Sequence, residues 1–117
     1  MKPFTQGGNM FSDEMAIPSS FWLYGQKIVV SYDPTLSDAN GCVGEARYRT
    51  NQIVLQPDSD SVPRLRSKVE QTFLHEVVHY IFYVLGEDEM RMNEKLIDGF
   101  SALLHQMLTT SNGNIGF

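Results

Sequence analysis

A single cysteine, Cys42, leaves no partner for an intrachain disulfide and no second thiol for a thiolate metal site. Its plain role is a buried or loop thiol, and the lack of a disulfide framework fits a reducing compartment. Basic charge is scarce as well. Nine Lys and Arg stand against fourteen Asp and Glu, a net charge of −5, which lacks the positive footprint of a nucleic-acid binder. No apolar run approaches the roughly twenty residues of a membrane span. The opening stretch MKPFTQGGNMFSDEMAIPSS holds no apolar run of the signal-peptide kind. The expectation is a cytoplasmic protein with neither membrane nor nucleic acid as partner. Internal repeats and low-complexity tracts are absent too. What is left is ordinary: 117 residues, 42% hydrophobic and 20% charged, the size and balance of one globular domain.

Residues 1–20 read as an irregular arm. Gly7, Gly8, Asn9 and Pro18 break any periodicity, while Phe4, Met10, Phe11 and Met15 offer apolar side chains to dock it on the body. The domain proper spans 21–110, and 111–117 reads as a frayed tail. In FWLYGQKIVVSY the β-branched and aromatic residues predict a strand over Lys27–Tyr32, ended by Asp33-Pro34. TLSDANGCVG reads as a loop. In GEARYRTNQIVLQP, apolar residues alternate with polar ones on either side of Thr50-Asn51. This predicts a hairpin with strands over 44–49 and 52–56. Pro57 to Ser61 is loop and cap, and Pro63 suits the first turn of a helix over 62–85 that stops at Gly86. The segment VVHYIFYVL is apolar almost all round, which predicts burial on most sides. A last helix opens at Glu87-Asp88-Glu89, with acids at its positive end. Its apolar stripe is Leu96, Ile97, Phe100, Leu103, Leu104, Met107 and Leu108. The fold class is therefore α+β: a small antiparallel or mixed sheet beside two antiparallel helices.

The chemistry lies in His75-Glu76-Val77-Val78-His79. Histidines four apart share a helix face, about 40° apart and roughly 6 Å along the axis, so both imidazoles reach one metal ion. Glu76 projects nearby and is free to act as general base on a metal-bound water. Three ionisable groups in a mostly apolar helix are costly unless paired or ligated. A catalytic zinc usually takes three protein ligands, so a third is needed. From His79 to Gly86 the chain descends roughly 10 Å, and a returning helix climbs that distance by about residue 94. Glu94 is then level with His79, and Asp98, one turn on, with His75. His105 lies roughly 16 Å further along and is out of reach. The expected metal set is His75, His79 and Glu94, the other role open to Glu94 and Asp98 being that of solvated helix acids. Asp98 is the acceptor behind His75, fixing its tautomer.

His75-Glu76-x-x-His79 followed by Asn93-Glu94-x-x-x-Asp98 resembles the gluzincin clan of zinc metallopeptidases. The layout over about residues 26–108 is similar to the minimal single-domain gluzincins of phage and bacterial genomes. The stretch between His79 and Glu94 is shorter than in the large members. The resemblance implies a zincin-like fold, a Zn2+ cofactor and hydrolysis of a peptide or protein substrate, with Glu76 as the base. It also implies an edge strand that binds the substrate backbone by strand addition; Gly44–Arg49 is the candidate. The donor to the oxyanion has no counterpart in the motif. Tyr83, one turn after His79, and Tyr48 are the candidates, each with packing as its other role. The alternative function is a catalytically inert, zinc-stabilised protein-binding module. A small regulator acting on a protein target is a third. Composition says nothing of the oligomeric state.

Overall fold

The computed structural model describes residues 15–111. The expectations for the rest of the arm and for the tail, residues 1–14 and 112–117, lie outside the described residues. The described end of the arm is packed. Met15 and Ile17 lie against the core, and the carbonyls of Met15 and Ser19 accept from Arg66 Nη2 and the Val30 amide.

The architecture is α+β. Strands β1 (Ser20–Leu23), β2 (Gln26–Tyr32), β3 (Gly44–Arg47) and β4 (Gln52–Leu55) form one sheet in the order β1-β2-β4-β3. Helices α1 (Leu36–Asn40), α2 (Arg66–Leu85), α3 (Asp88–Arg91) and α4 (Glu94–Thr110) complete the fold. The sheet is mixed: β1–β2 and β3–β4 are antiparallel, and β2–β4 is parallel, with Val30 opposite Ile53. Ile28, Val30, Ile53 and Leu55 point from the sheet into a core closed by Val69, Phe73, Leu74 and Tyr80 of α2. No helix among the described residues is long and apolar enough to cross a membrane.

Several local expectations need correction. The strand at 27–32 has a partner, β1, that the sequence reading did not separate. Tyr24 and Gly25, at φ 54° and 79°, make the two-residue turn between them, the left-handed pair that hairpins favour. The 44–56 hairpin forms, but its first strand stops at Arg47. Tyr48–Thr50 is a 3-10 turn closed by Asn51 in the left-handed region. The 35–43 loop contains α1, pinned by the buried Gln56, which accepts from the Ser37 amide and donates to the Pro34 carbonyl.

The motif helix starts at Arg66 rather than 62, so Pro63 lies before it and not in its first turn. The side chains of Asp58 and Ser59 take the amides of Arg64 and Val62, a local alternative to helix. Gly86 ends α2 as expected, at φ 74°, with its amide and that of Glu87 returned to Tyr83 and Phe82. The run VVHYIFYVL is less buried than its composition implies. Val78 and Tyr80 are enclosed, whereas Tyr83 and Leu85 are exposed.

The last helix is two pieces. α3 stops at Arg91, and Asn93 restarts the chain as N-cap of α4, accepting from the Leu96 amide at 3.1 Å. The apolar stripe of α4 is its buried face only in part: Ile97 is enclosed, and Leu104 and Leu108 pack against the core. Ile97, Ser101, His105 and Thr109 are buried, while Leu96, Phe100, Leu103 and Met107 are exposed. Ser101 and Thr109 enter the core because each hydroxyl bonds a carbonyl one turn back, at 2.8 and 2.9 Å.

Candidate metal centre

α2 and α4 run antiparallel, as their cross-pairs record: Glu70 with His105, His75 with Asp98 and His79 with Glu94. The motif histidines project from the middle of α2 towards the first turn of α4. The Asn93 cap makes Glu94 the first residue of that helix, where a carboxylate meets the positive end of the helix dipole.

The three expected ligand residues come together. His75 Nε2 and His79 Nε2 are 3.2 Å apart, and Glu94 lies 3.3 Å from each, through Oε1 and Oε2 respectively. Behind them, His75 Nδ1 is 2.9 Å from Asp98 Oδ1. A neutral His75 therefore carries its proton on Nδ1 and turns the Nε2 lone pair inward. The backbone of Arg91 is a hydrogen-bond partner of the His79 ring. Burial is nevertheless the largest influence on His79 and lowers its proton affinity.

This donor set fits a zinc ion. Donors about 2.0–2.1 Å from one ion at tetrahedral angles lie roughly 3.3 Å from each other; here the two imidazole nitrogens are 3.2 Å apart, each meets a different carboxylate oxygen at 3.3 Å, and one donor atom from each residue lies within 4.8 Å of the others. Nitrogen lone pairs and a carboxylate oxygen converging at that distance repel unless a cation or a proton lies between them. The set is two imidazoles and one carboxylate, a combination suited to zinc. Three residues leave a fourth position open.

Glu76, the next residue round α2 from His75, is buried under β3 and lines the same cavity as His75. Its pKa is pushed up to about 7, first by burial, then by repulsion from Glu94 and Glu45. Gly44 is why β3 can lie so close. A Cβ there would sit 2.4 Å from Thr72 Cγ2 and 3.0 Å from Glu76 Oε2. The sequence reading named the strand but missed this contact, for which a glycine opening an otherwise β-prone run was the available signal. β3 is a sheet edge, and a cavity of about 550 Å3 runs beside it past His75, Glu76 and Asp98.

The two candidate tyrosines stand together on the opposite flank. Tyr48 lies on the 3-10 turn and not on a strand, and its ring stacks on Tyr83 with centroids 4.1 Å apart. Burial raises the Tyr48 pKa, the neighbouring Arg91 opposes this, and the charges of Glu76 and Glu94 add smaller raising effects. Tyr83 is the outer, exposed partner. Sequence reasoning missed Arg91, whose guanidinium lies 5.5 Å from the Tyr48 centroid and 5.9 Å from that of Tyr83. No spacing rule marks it.

His105 is outside the centre, as the axial distance required. It is buried, with Nε2 2.8 Å from Oε1 of the fully buried Glu70, whose Oε2 pairs with Arg66 Nε at 2.8 Å. No protein family, curated protein or solved structure matches the chain.

Proposed function

We propose that the chain is a zinc-dependent metallopeptidase. The observation that carries this reading is the convergence of donor atoms of His75, His79 and Glu94 within 4.8 Å of one another, next to a buried Glu76 under β3, an edge strand among the described residues. His75, His79 and Glu94 would hold the ion, with Asp98 fixing the His75 ring. When bound, zinc supplies Lewis acidity, polarising a carbonyl and lowering the pKa of water.

The remaining steps belong to the protein. A substrate strand adds to β3 through its free backbone groups, which favours an extended peptide over a small molecule. Glu76 takes a proton from the attacking water at its carboxylate and passes it to the leaving amine. A pKa near neutrality serves both directions of that transfer. Tyr48, stacked on Tyr83 and beside Arg91, and Tyr83 itself are the two candidate donors to the oxygen that gains charge.

The test is Glu76→Gln, which keeps size and removes the base. Zinc content should match the parent, while cleavage of a broad peptide library falls by roughly 10²–10⁴-fold. A zinc-loaded parent that cleaves nothing across pH would point to the binding module. Equal cleavage by parent and variant would reveal a contaminating protease.

A further inference from the structure

The cavity beside the centre also carries two cations. Arg64 and Lys68 line the same space as Thr72, His75, Glu76 and Asp98. They share that space with the carboxylates of Glu76 and Asp98, and the Arg64 amide bonds Asp58 Oδ1 at 2.7 Å, but among the described residues neither cationic side chain pairs with any of these acids. Arg64 spends its guanidinium on neutral oxygens: Nη1 on the Gln56 carbonyl at 2.9 Å, Nη2 on Thr72 Oγ1 at 2.9 Å and on the Lys68 carbonyl at 3.3 Å. Those bonds fix the group in place without neutralising it. Burial lowers its proton affinity, and no acid is recorded as offsetting that. Neither Arg64 nor Lys68 is in an ion pair among the described residues, whereas the neighbouring Arg66 is paired with Glu70. A rigid, partly desolvated cation facing a cavity is stabilised by an anion entering that cavity.

The spacing says what that anion belongs to. Lys68, Thr72, His75 and Glu76 follow one another on a single face of α2. Lys68 is two turns from His75, roughly 10 Å along the axis. Extended chain rises about 3.3 Å per residue, so two or three residues of a peptide laid along β3 cover the distance. The walls leave room for it: Gly41 to Gly44 on one side, Ser101 and Ala102 of α4 on the other.

Resting on the peptidase reading, we propose that Arg64 and Lys68 form a carboxylate-accepting subsite, which selects peptides carrying an acidic group within three residues of the scissile bond, on one side only. The carboxylate is supplied by an Asp or Glu side chain or by the peptide C-terminus, the same chemistry from two sources.

The test has two independent readouts. In the first, the zinc-loaded parent and Lys68→Glu digest a peptide library, and mass spectrometry reads the residues flanking each cut. Lys68 is chosen because its side chain is exposed, so reversal need not disturb the fold; Arg64, which ties Gln56 to Thr72, is left intact. The parent should favour acidic groups at one position by roughly three- to tenfold, and Lys68→Glu should abolish or invert the preference. In the second, fluorescence anisotropy measures binding to zinc-loaded Glu76→Gln. The probes are labelled peptides with Glu and an amidated C-terminus, with Gln and a free C-terminus, and with Gln and an amidated C-terminus. Either of the first two binding more tightly than the third, with the gain lost in added Lys68→Glu, supports the subsite and identifies the source. Equal binding of all three, or cleavage with no charge preference that Lys68→Glu alters, overturns it. Charge-selective binding without any cleavage would leave the subsite standing and remove the peptidase reading, whereas cleavage without selectivity would do the reverse.

Discussion

Gly44→Ala measures how tightly the edge strand is seated on the motif helix. The new Cβ would lie 2.4 Å from Thr72 Cγ2, 3.0 Å from Glu76 Oε2 and 3.2 Å from Glu76 Cγ. Carbon atoms sit comfortably at about 3.5–4.0 Å, so the first contact is short by roughly 1 Å. The obstructing methyl belongs to a β-branched residue in a helix, which has few rotamers to retreat into. Its hydroxyl is also committed, at 2.9 Å to the Lys68 carbonyl and 2.9 Å to Arg64 Nη2. Relief must come from β3 moving off α2. Overpacking of this kind costs roughly 1–3 kcal/mol, and we expect about 2 kcal/mol in urea unfolding of the zinc-free protein. The same displacement moves the substrate strand relative to Glu76, where a misplacement of about 1 Å can cost roughly 100-fold in rate. Thr72→Ser isolates the cause, because it deletes Cγ2 and keeps the hydroxyl. In that background the cost of Gly44→Ala should fall below about 1 kcal/mol, a coupling that a double-mutant cycle reads directly. An equal cost in both backgrounds would refute the steric account and leave Gly44 with no role in seating the strand.

Metal analysis of Glu94→Ala should show most zinc lost. His105→Ala should keep its zinc but lose roughly 3 kcal/mol of stability, since Glu70 is left buried without its imidazole; the reverse pattern would exchange the two assignments. Asp98→Ala should weaken zinc binding by about 10–100-fold without abolishing it, and an unchanged affinity in a chelator competition would sever Asp98 from the His75 ring. In chelator-treated protein the raised pKa of Glu76, about 7 against an ordinary 4.5, means that the unfolded carboxyl ionises first. Glu76 therefore costs the fold nothing below the ordinary value, an increasing amount up to pH 7 and a constant amount above it, at most about 3 kcal/mol. The stability of Glu76→Gln relative to the parent should accordingly rise between pH 5 and pH 8, and parallel pH curves would count against a desolvated Glu76.

The sequence by itself determined the parts governed by local helical geometry. The helical turn put His75 and His79 on one face, the left-handed Gly86 ended α2, and a constant rise per residue brought Glu94 level with His79 and Asp98 level with His75. That arithmetic held even though the returning helix is broken at Met92-Asn93, because distance along the axis depends little on one capped restart. Continued down α2, it would also have set Glu70 about level with residues 103–105. The apolar stripe met the core at Ile97, Leu104 and Leu108 but not at Leu96, Phe100, Leu103 and Met107. It took Phe100 as core when the buried side carries Ser101, His105 and Thr109, whose polarity is satisfied by bonds that hydropathy does not register. Only the tertiary structure decided the parallel pairing of β2 with β4, the placing of β3 at the edge, the approach of Gly44 to Glu76 and the gathering of Tyr48, Tyr83 and Arg91. These join segments up to dozens of residues apart. Their register is set by how whole surfaces pack, a property of the assembled core that no local spacing carries.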